Sequence, residues 1–143
     1  MTAPPVRKVS RAEVEPNRRR GGDVRILLSP RTVQSTSGFG GSLTLEPEEY
    51  VCEHIHPYSE EFVYVVGGQL RIRIGEELID LGEGDSVMVP MGVRHRMVNL
   101  GSERAQVIFH LAPLAPRPEL GHVDTEFLPD RSDSPAPPVG GAR

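Results

Sequence analysis

The chain has one cysteine, no excess of basic residues and no long apolar run. Its single thiol, Cys52, excludes an intramolecular disulfide framework and suits a reducing compartment. With a net charge of −4 it offers no basic surface for nucleic acid. The one positive run, Arg18-Arg19-Arg20, sits in a polar stretch and reads as a solvated arm rather than a phosphate site. No segment approaches the roughly 20 apolar residues that cross a bilayer. Met1-Thr2-Ala3-Pro4-Pro5 also lacks the apolar core of a secretory signal, so a cytoplasmic protein without membrane partners is expected.

At 143 residues the chain makes one domain with one core. Residues 1–23 read as a polar N-terminal arm, 24–128 as a single domain with a C-terminal extension, and 129–143 as a flexible Pro/Gly-rich tail. Short runs with strand periodicity occupy 24–28, 41–45, 50–56, 61–66, 70–74, 77–81, 86–89, 95–99 and 106–111. Between them lie breaks such as Gly67-Gly68, Gly82-Glu83-Gly84-Asp85 and Pro90-Met91-Gly92. Only 10–14 can start a helix, and nothing alternates with the strands at the length a parallel sheet requires. The fold class is therefore all-β, an antiparallel sandwich or barrel. Pro113, Pro116 and Pro118 keep their segment out of a sheet interior, so it should run extended over the surface and can close a pocket or a dimer seam.

The chemistry concentrates in two segments. In a strand, side chains alternate faces, so His54 and His56 project from one face roughly 6 to 7 Å apart and both can turn a ring nitrogen to one point. A helix would space two such ligands by three or four residues. Pro57-Tyr58-Ser59 then turns the chain so that Glu61 faces inward, with Val63 and Val65 beside it; Glu60 is the rival carboxylate. Pro90 and Gly92 turn the chain again and deliver His95 from another strand. Neutral imidazoles and one carboxylate suit a divalent ion such as Zn, Fe, Ni, Mn or Cu, with positions open for water or substrate. His54, His56, Glu61 and His95 are thus the expected metal ligands. His110 is a further ligand, a general base, or an outward residue on its strand, and His122 receives no role. Cys52, two residues before His54, should share its face and pack in the core near the site.

These residues fit a known pattern. The chain resembles the cupins, whose motifs read G-x5-H-x-H-x3-4-E-x6-G and G-x5-P-x-G-x2-H-x3-N. Gly84, Pro90, Gly92, His95 and Asn99 meet the second throughout. His54, His56, Glu61 and Gly68 meet the first, while Glu48 stands where its opening glycine belongs. More narrowly, the stretches from Pro16 to Asp23, His56 to Val65 and Phe109 to Glu126 look like the small cupins of bacterial aromatic polyketide clusters, of the tetracenomycin, resistomycin and spore-pigment type.

That resemblance implies a double-stranded β-helix, or jelly roll, in a cytoplasmic homodimer, with one divalent metal, zinc foremost, beneath an apolar cavity. It implies a metal-dependent cyclase of antibiotic biosynthesis that folds a poly-β-ketone and closes a ring, with Glu61 or His110 as the catalytic base. An all-histidine metal shell in one relative leaves open whether Glu61 or His110 completes it here. The partners implied are an aromatic polyketide intermediate and, transiently, polyketide synthase components. An oxygenase with a redox-active metal, or a non-catalytic polyketide-binding cupin, are the alternatives.

Overall fold

The computed structural model describes residues 3–129 and residue 139, so most of the tail read from the sequence lies outside the described residues. The strands are β1 (Asp23–Leu28), β2 (Phe39–Leu45), β3 (Tyr50–Ile55), β4 (Glu60–Gly67), β5 (Gln69–Ile74), β6 (Glu77–Gly82), β7 (Ser86–Val89), β8 (His95–Val98), β9 (Ala105–Ala112) and β10 (Val123–Asp124). They form two five-stranded sheets, in the orders β1-β2-β9-β4-β7 and β10-β3-β8-β5-β6. The pairings are antiparallel. Every run expected to be a strand is one. No signal announces β10, which at two residues carries no periodicity to read.

Alternation sends one face of each sheet inward. On β9, Ala105, Val107, Phe109 and Leu111 are buried while Gln106, Ile108 and His110 are exposed. On β4, Val63 and Val65 are fully enclosed between Phe62 and Val66, which face out. The two inner faces meet in a core containing Leu45, Leu70, Ile72, Val89 and Val107. Each such side chain contributes about 1.5–3 kcal/mol by leaving water.

Helix is scarce. Pro30–Val33 forms one short α-helix, α1, where Ser29 accepts from the Thr32 amide at 3.3 Å and Thr32 Oγ1 accepts from the Ser29 amide at 2.9 Å. The 10–14 segment yields only a 3-10 turn at Arg11–Glu13.

The segment before β1 is docked rather than free. Asn17 and Val24 exchange backbone hydrogen bonds of 2.7 and 3.1 Å, and the Arg20 carbonyl accepts from the Cys52 amide at 2.9 Å. Arg20 is only 9% exposed, unlike the solvated residue its basic run suggested. Gly21, at φ +105°, presses so closely on Tyr50 that a Cβ there would lie 2.0 Å from its carbonyl oxygen.

Asn99, fully buried, holds together the turn between β2 and β3 and the turn between β8 and β9. Its Nδ2 donates to the carbonyls of Leu45 (2.9 Å) and Glu103 (2.8 Å), and its Oδ1 accepts from the Gly101 amide. Its carbonyl accepts from the Glu48 amide at 2.8 Å. That bond fixes Glu48 at φ +75°, in the left-handed region where a Cβ costs roughly 1–2 kcal/mol. The cupin motif's glycine at this position is therefore a conformational requirement that the glutamate meets under strain. Glu48→Gly is expected to stabilise the protein by about 1 kcal/mol, after the extra chain entropy of glycine is subtracted. Urea unfolding checks this, and an unchanged or lower midpoint refutes the strain.

Candidate metal centre and its cavity

The site forms where the two sheets face each other at one end. His54 on β3 and His95 on β8 are direct cross-strand partners, with ring centroids 4.3 Å apart. His56 lies just past the end of β3, 4.8 Å from His54 and 5.1 Å from His95 by centroid. One ligand atom from each of the three rings falls within 4.8 Å of the others. Glu61 arrives from the opposite sheet on β4. Its Oε1 lies 3.1 Å from His95 Nε2 and 3.8 Å from His56 Nε2. Glu60, the rival, is exposed.

Backbone carbonyls set the direction of each ring. Nδ1 of His54 donates to the Cys52 carbonyl (2.7 Å), that of His56 to Gly121 (3.0 Å) and that of His95 to Val93 (3.1 Å). With Nδ1 engaged in this way, Nε2 is the nitrogen left to bind, the arrangement that fixes a metal-binding tautomer. His56 Nε2, His95 Nε2 and Glu61 Oε1 are all buried without a hydrogen-bond partner among the described residues. The 3.1 Å approach of His95 to Glu61 is an ionic contact rather than an aligned hydrogen bond. Each orphaned polar atom costs about 1–3 kcal/mol. A single cation at their meeting point would satisfy all three, so the donor set fits a divalent metal.

Electrostatics favour the same state. Burial pushes His54 well below its ordinary pKa, and the neighbouring imidazoles His95 and His56 add to the effect. Burial also lowers His56. Burial alone would raise Glu61, yet His95 and His56 beside it hold its carboxyl below the usual range. Burial likewise opposes charge on His95, but Glu61 prevails and raises it. A bound cation would compete with protons for these same nitrogens and for the carboxylate.

The centre lies on the floor of a cavity of about 280 Å³. Ile26, Phe39, Leu43, Val107, Phe109 and Leu111 supply its apolar walls. The Pro-rich segment after β9 closes one side through Leu114, Ala115 and Pro118, as its composition suggested. Val139 also lines the cavity, and its carbonyl accepts from the Arg31 amide at 3.4 Å.

Two residues, Cys52 and His122, fall elsewhere than expected or were missed, while His110 takes the outward position that was one of its three readings. His110 does not join the cluster: it is exposed on the outer face of β9, opposite Gly40 and Phe62, while its neighbours Phe109 and Leu111 line the cavity. Cys52 does not share the face of His54. The register of β3 against β8 shifts between Val51 and His54, so those two line the cavity while Cys52 Sγ turns to the Phe127 carbonyl at 3.5 Å. A bulge of this kind breaks simple alternation. His122, given no role from sequence, lines the cavity, and burial followed by the nearby Arg20 charge lowers its pKa to about 4. Its one sequence signal was its place at the end of a segment already suspected of closing a pocket.

The family model for the cupin domain matches residues 41–111. The chain is 51% identical to polyketide synthase CurC of Streptomyces cyaneus, over 93% of this chain and 86% of that protein. It is 46% identical to tetracenomycin polyketide synthase protein TcmJ of Streptomyces glaucescens, over 94% of this chain and 89% of that one. Among solved structures, a Klebsiella pneumoniae protein with a double-stranded β-helix domain superposes with a TM-score of 0.67 at 18% identity, covering 86% of this chain and all of that one.

Elemental analysis of the purified, untagged protein tests the fit of the donor set. One equivalent of a divalent metal is expected, and it should be lost in a His54→Ala/His56→Ala double variant that still folds. Equal metal content in the two proteins would remove these side chains from any metal shell.

Proposed function

We propose, from the premise that this chain belongs to the cupin family, that it is a metal-dependent cyclase of aromatic polyketide intermediates. One observation carries the reading: three imidazoles and a carboxylate converge at the floor of a cavity whose walls are almost wholly apolar. The names of the full-length relatives place them with polyketide synthases, which supports the substrate class.

His54, His56, His95 and Glu61 would hold the ion, which when bound supplies Lewis acidity toward a carbonyl oxygen and the negative charge that develops there. Zinc suits these ligands, and so do the redox-active metals. The remaining work belongs to the protein. A poly-β-ketone is flexible and reactive, so the apolar walls must fold it, exclude water and bring one nucleophilic carbon to one ketone. The hydrogen that leaves is flanked by two carbonyls and already acidic, so a modest base suffices. Glu61, kept ionised beside His95, is that base through the carboxylate oxygen that the ion would leave free. Removal of the proton leaves an enolate that forms the new carbon–carbon bond. The resulting alkoxide regains a proton, and loss of water aromatises the ring. His110 sits across the sheet from this cavity, so the proposal rests on Glu61.

A minimal polyketide synthase supplying the poly-β-ketone in vitro provides the test. The wild-type protein should channel product into one cyclised aromatic compound, and Glu61→Gln should slow its formation by about 100-fold or more while His56→Ala restores the unassisted mixture. An identical product pattern with and without the protein would sink the cyclase. Oxygen consumed in step with product would replace cyclisation by oxidation.

Homodimerisation belongs to the same reading. Phe62, Val66, Met88 and Ile108 stand 39–47% exposed on the outer face of β4, β7 and β9, with Phe62 opposite Met88 in the register. Such an apolar face on adjoining strands is costly to leave in water. Ile108→Glu is expected to convert a dimer to a monomer by sedimentation analysis, and a dimer unchanged by this substitution would move the seam elsewhere.

A further inference from the structure

The cavity has a second polar locus, beside its histidines. Arg20 reaches it from the segment before β1, and His122 from the approach to β10. The Arg20 side chain is 9% exposed. Its Nε donates to Asp124 Oδ1 at 2.6 Å, and Asp124 stands opposite His54 in the β10–β3 register. Asp124 therefore anchors one edge of the guanidinium next to the metal floor. Nη2 is buried with no partner among the described residues. A guanidinium presents several N–H donors in a planar fork and cannot shed its charge, so an enclosed and unpaired nitrogen is an open demand for an acceptor oxygen. His122 is uncharged at neutral pH and lines the same cavity, so it adds a donor or acceptor without adding charge. Nothing on the apolar walls competes for this role. Among the acids, Glu61 belongs to the floor and Glu119 is ion-paired with Arg117 at 3.3 Å.

We infer that Arg20, with His122, forms an anion-binding subsite on the cavity wall beside the histidines that takes a carboxylate or enolate oxygen of the ligand. This fixes which end of the molecule reaches the floor. The identity of the ligand as a polyketide rests on the proposed function; the subsite rests on Arg20 and its unpaired nitrogen. Arg20 is then a specificity-determining residue: one oxygen held on the wall sets which carbonyl lies over His54, His56 and Glu61.

Titration with naphthoate, followed by its fluorescence, tests the subsite without turnover. The wild-type protein should bind naphthoate about ten- to hundredfold more tightly than its methyl ester, the range expected for a hydrogen bond to a charged group. Arg20→Gln should abolish that preference and leave ester affinity within about threefold, the scatter ordinarily seen for a single contact. An acidic cyclic triketone, an enolate at neutral pH, compared with its O-methyl ether asks the same of an enolate oxygen, so the two pairs separate the two sources.

Survival of the preference in Arg20→Gln would place the anion at the floor and overturn the proposal. Asp124→Asn guards against a purely structural role, since it breaks the ion pair but keeps the guanidinium. The preference should persist or grow in Asp124→Asn, whereas equal loss of both ligands in the two variants would reduce Arg20 to a clasp and overturn the subsite. Because no step requires cyclisation, these results and those of the synthase assay stand or fall separately.

Discussion

Four polar groups buried together at the end of an apolar sandwich set the terms for the rest of this protein. His54, His56, His95 and Glu61 are each nearly sealed from water, and none can be enclosed alone without a penalty of several kcal/mol. The fold offsets part of that cost by giving every imidazole a backbone carbonyl at Nδ1. What it leaves open is Nε2 of His56 and His95 and one oxygen of Glu61, which lies within 3.8 Å of both across the two sheets. An arrangement that satisfies the outer atoms and leaves the inner ones unsatisfied is a binding site by its energetics alone. The strands that carry it are held elsewhere by ordinary apolar packing, so the strain of the site is concentrated at one end of the sandwich.

That division of labour runs through the sequence. The sheets and their turns follow from alternation and from residues with special backbone demands, and both can be read directly. Val63 and Val65 had to point inward with Glu61 because β4 alternates, and they do. Asn99 looked like a motif letter in the sequence; in the fold it ties the carbonyls of Leu45, Glu103 and Glu49 and the amides of Gly101 and Glu48 into the far end of the sandwich. Even the departure at Glu48 is informative, since the chain keeps the left-handed turn that glycine would adopt without cost.

The parts that sequence reasoning missed share one physical cause. Cys52 and His54 are two residues apart and should share a face, but the register shift within β3 resets the alternation between them. Nothing in the local composition announces a bulge there. Arg20 lies in a run of three arginines whose polarity suggested solvent, and its burial depends on Asp124, a residue 104 positions away that had no role in the reading. His122 sits on a segment with no periodicity at all. Long-range partners decided each of these placements, and a single sequence carries local signals far better than it carries partners. The core and the clustered histidines were legible because alternation along each strand and the turns between strands place them; the surroundings of Arg20 and His122 were not, because they are assembled from both ends of the chain.

Those surroundings are also where specificity should lie. The floor and walls are built from strands whose pattern any member of this fold must keep, so they leave little room to distinguish one ligand from another. The segment before β1 and the one after β9 are bound by fewer rules: they need only dock, through contacts such as Asn17 with Val24 and Ser59 Oγ with the Pro113 carbonyl at 2.5 Å. They meet over the cavity, with Arg20 and His122 as their polar contribution and Leu114, Ala115 and Pro118 as their apolar one. Changing residues there alters the shape and charge that a ligand meets on entry without disturbing Val63, Val65 or the histidine floor. The strands thus fix the chemical centre while the two flanking segments set what surrounds its entrance, and the fixed positive charge they contribute is Arg20.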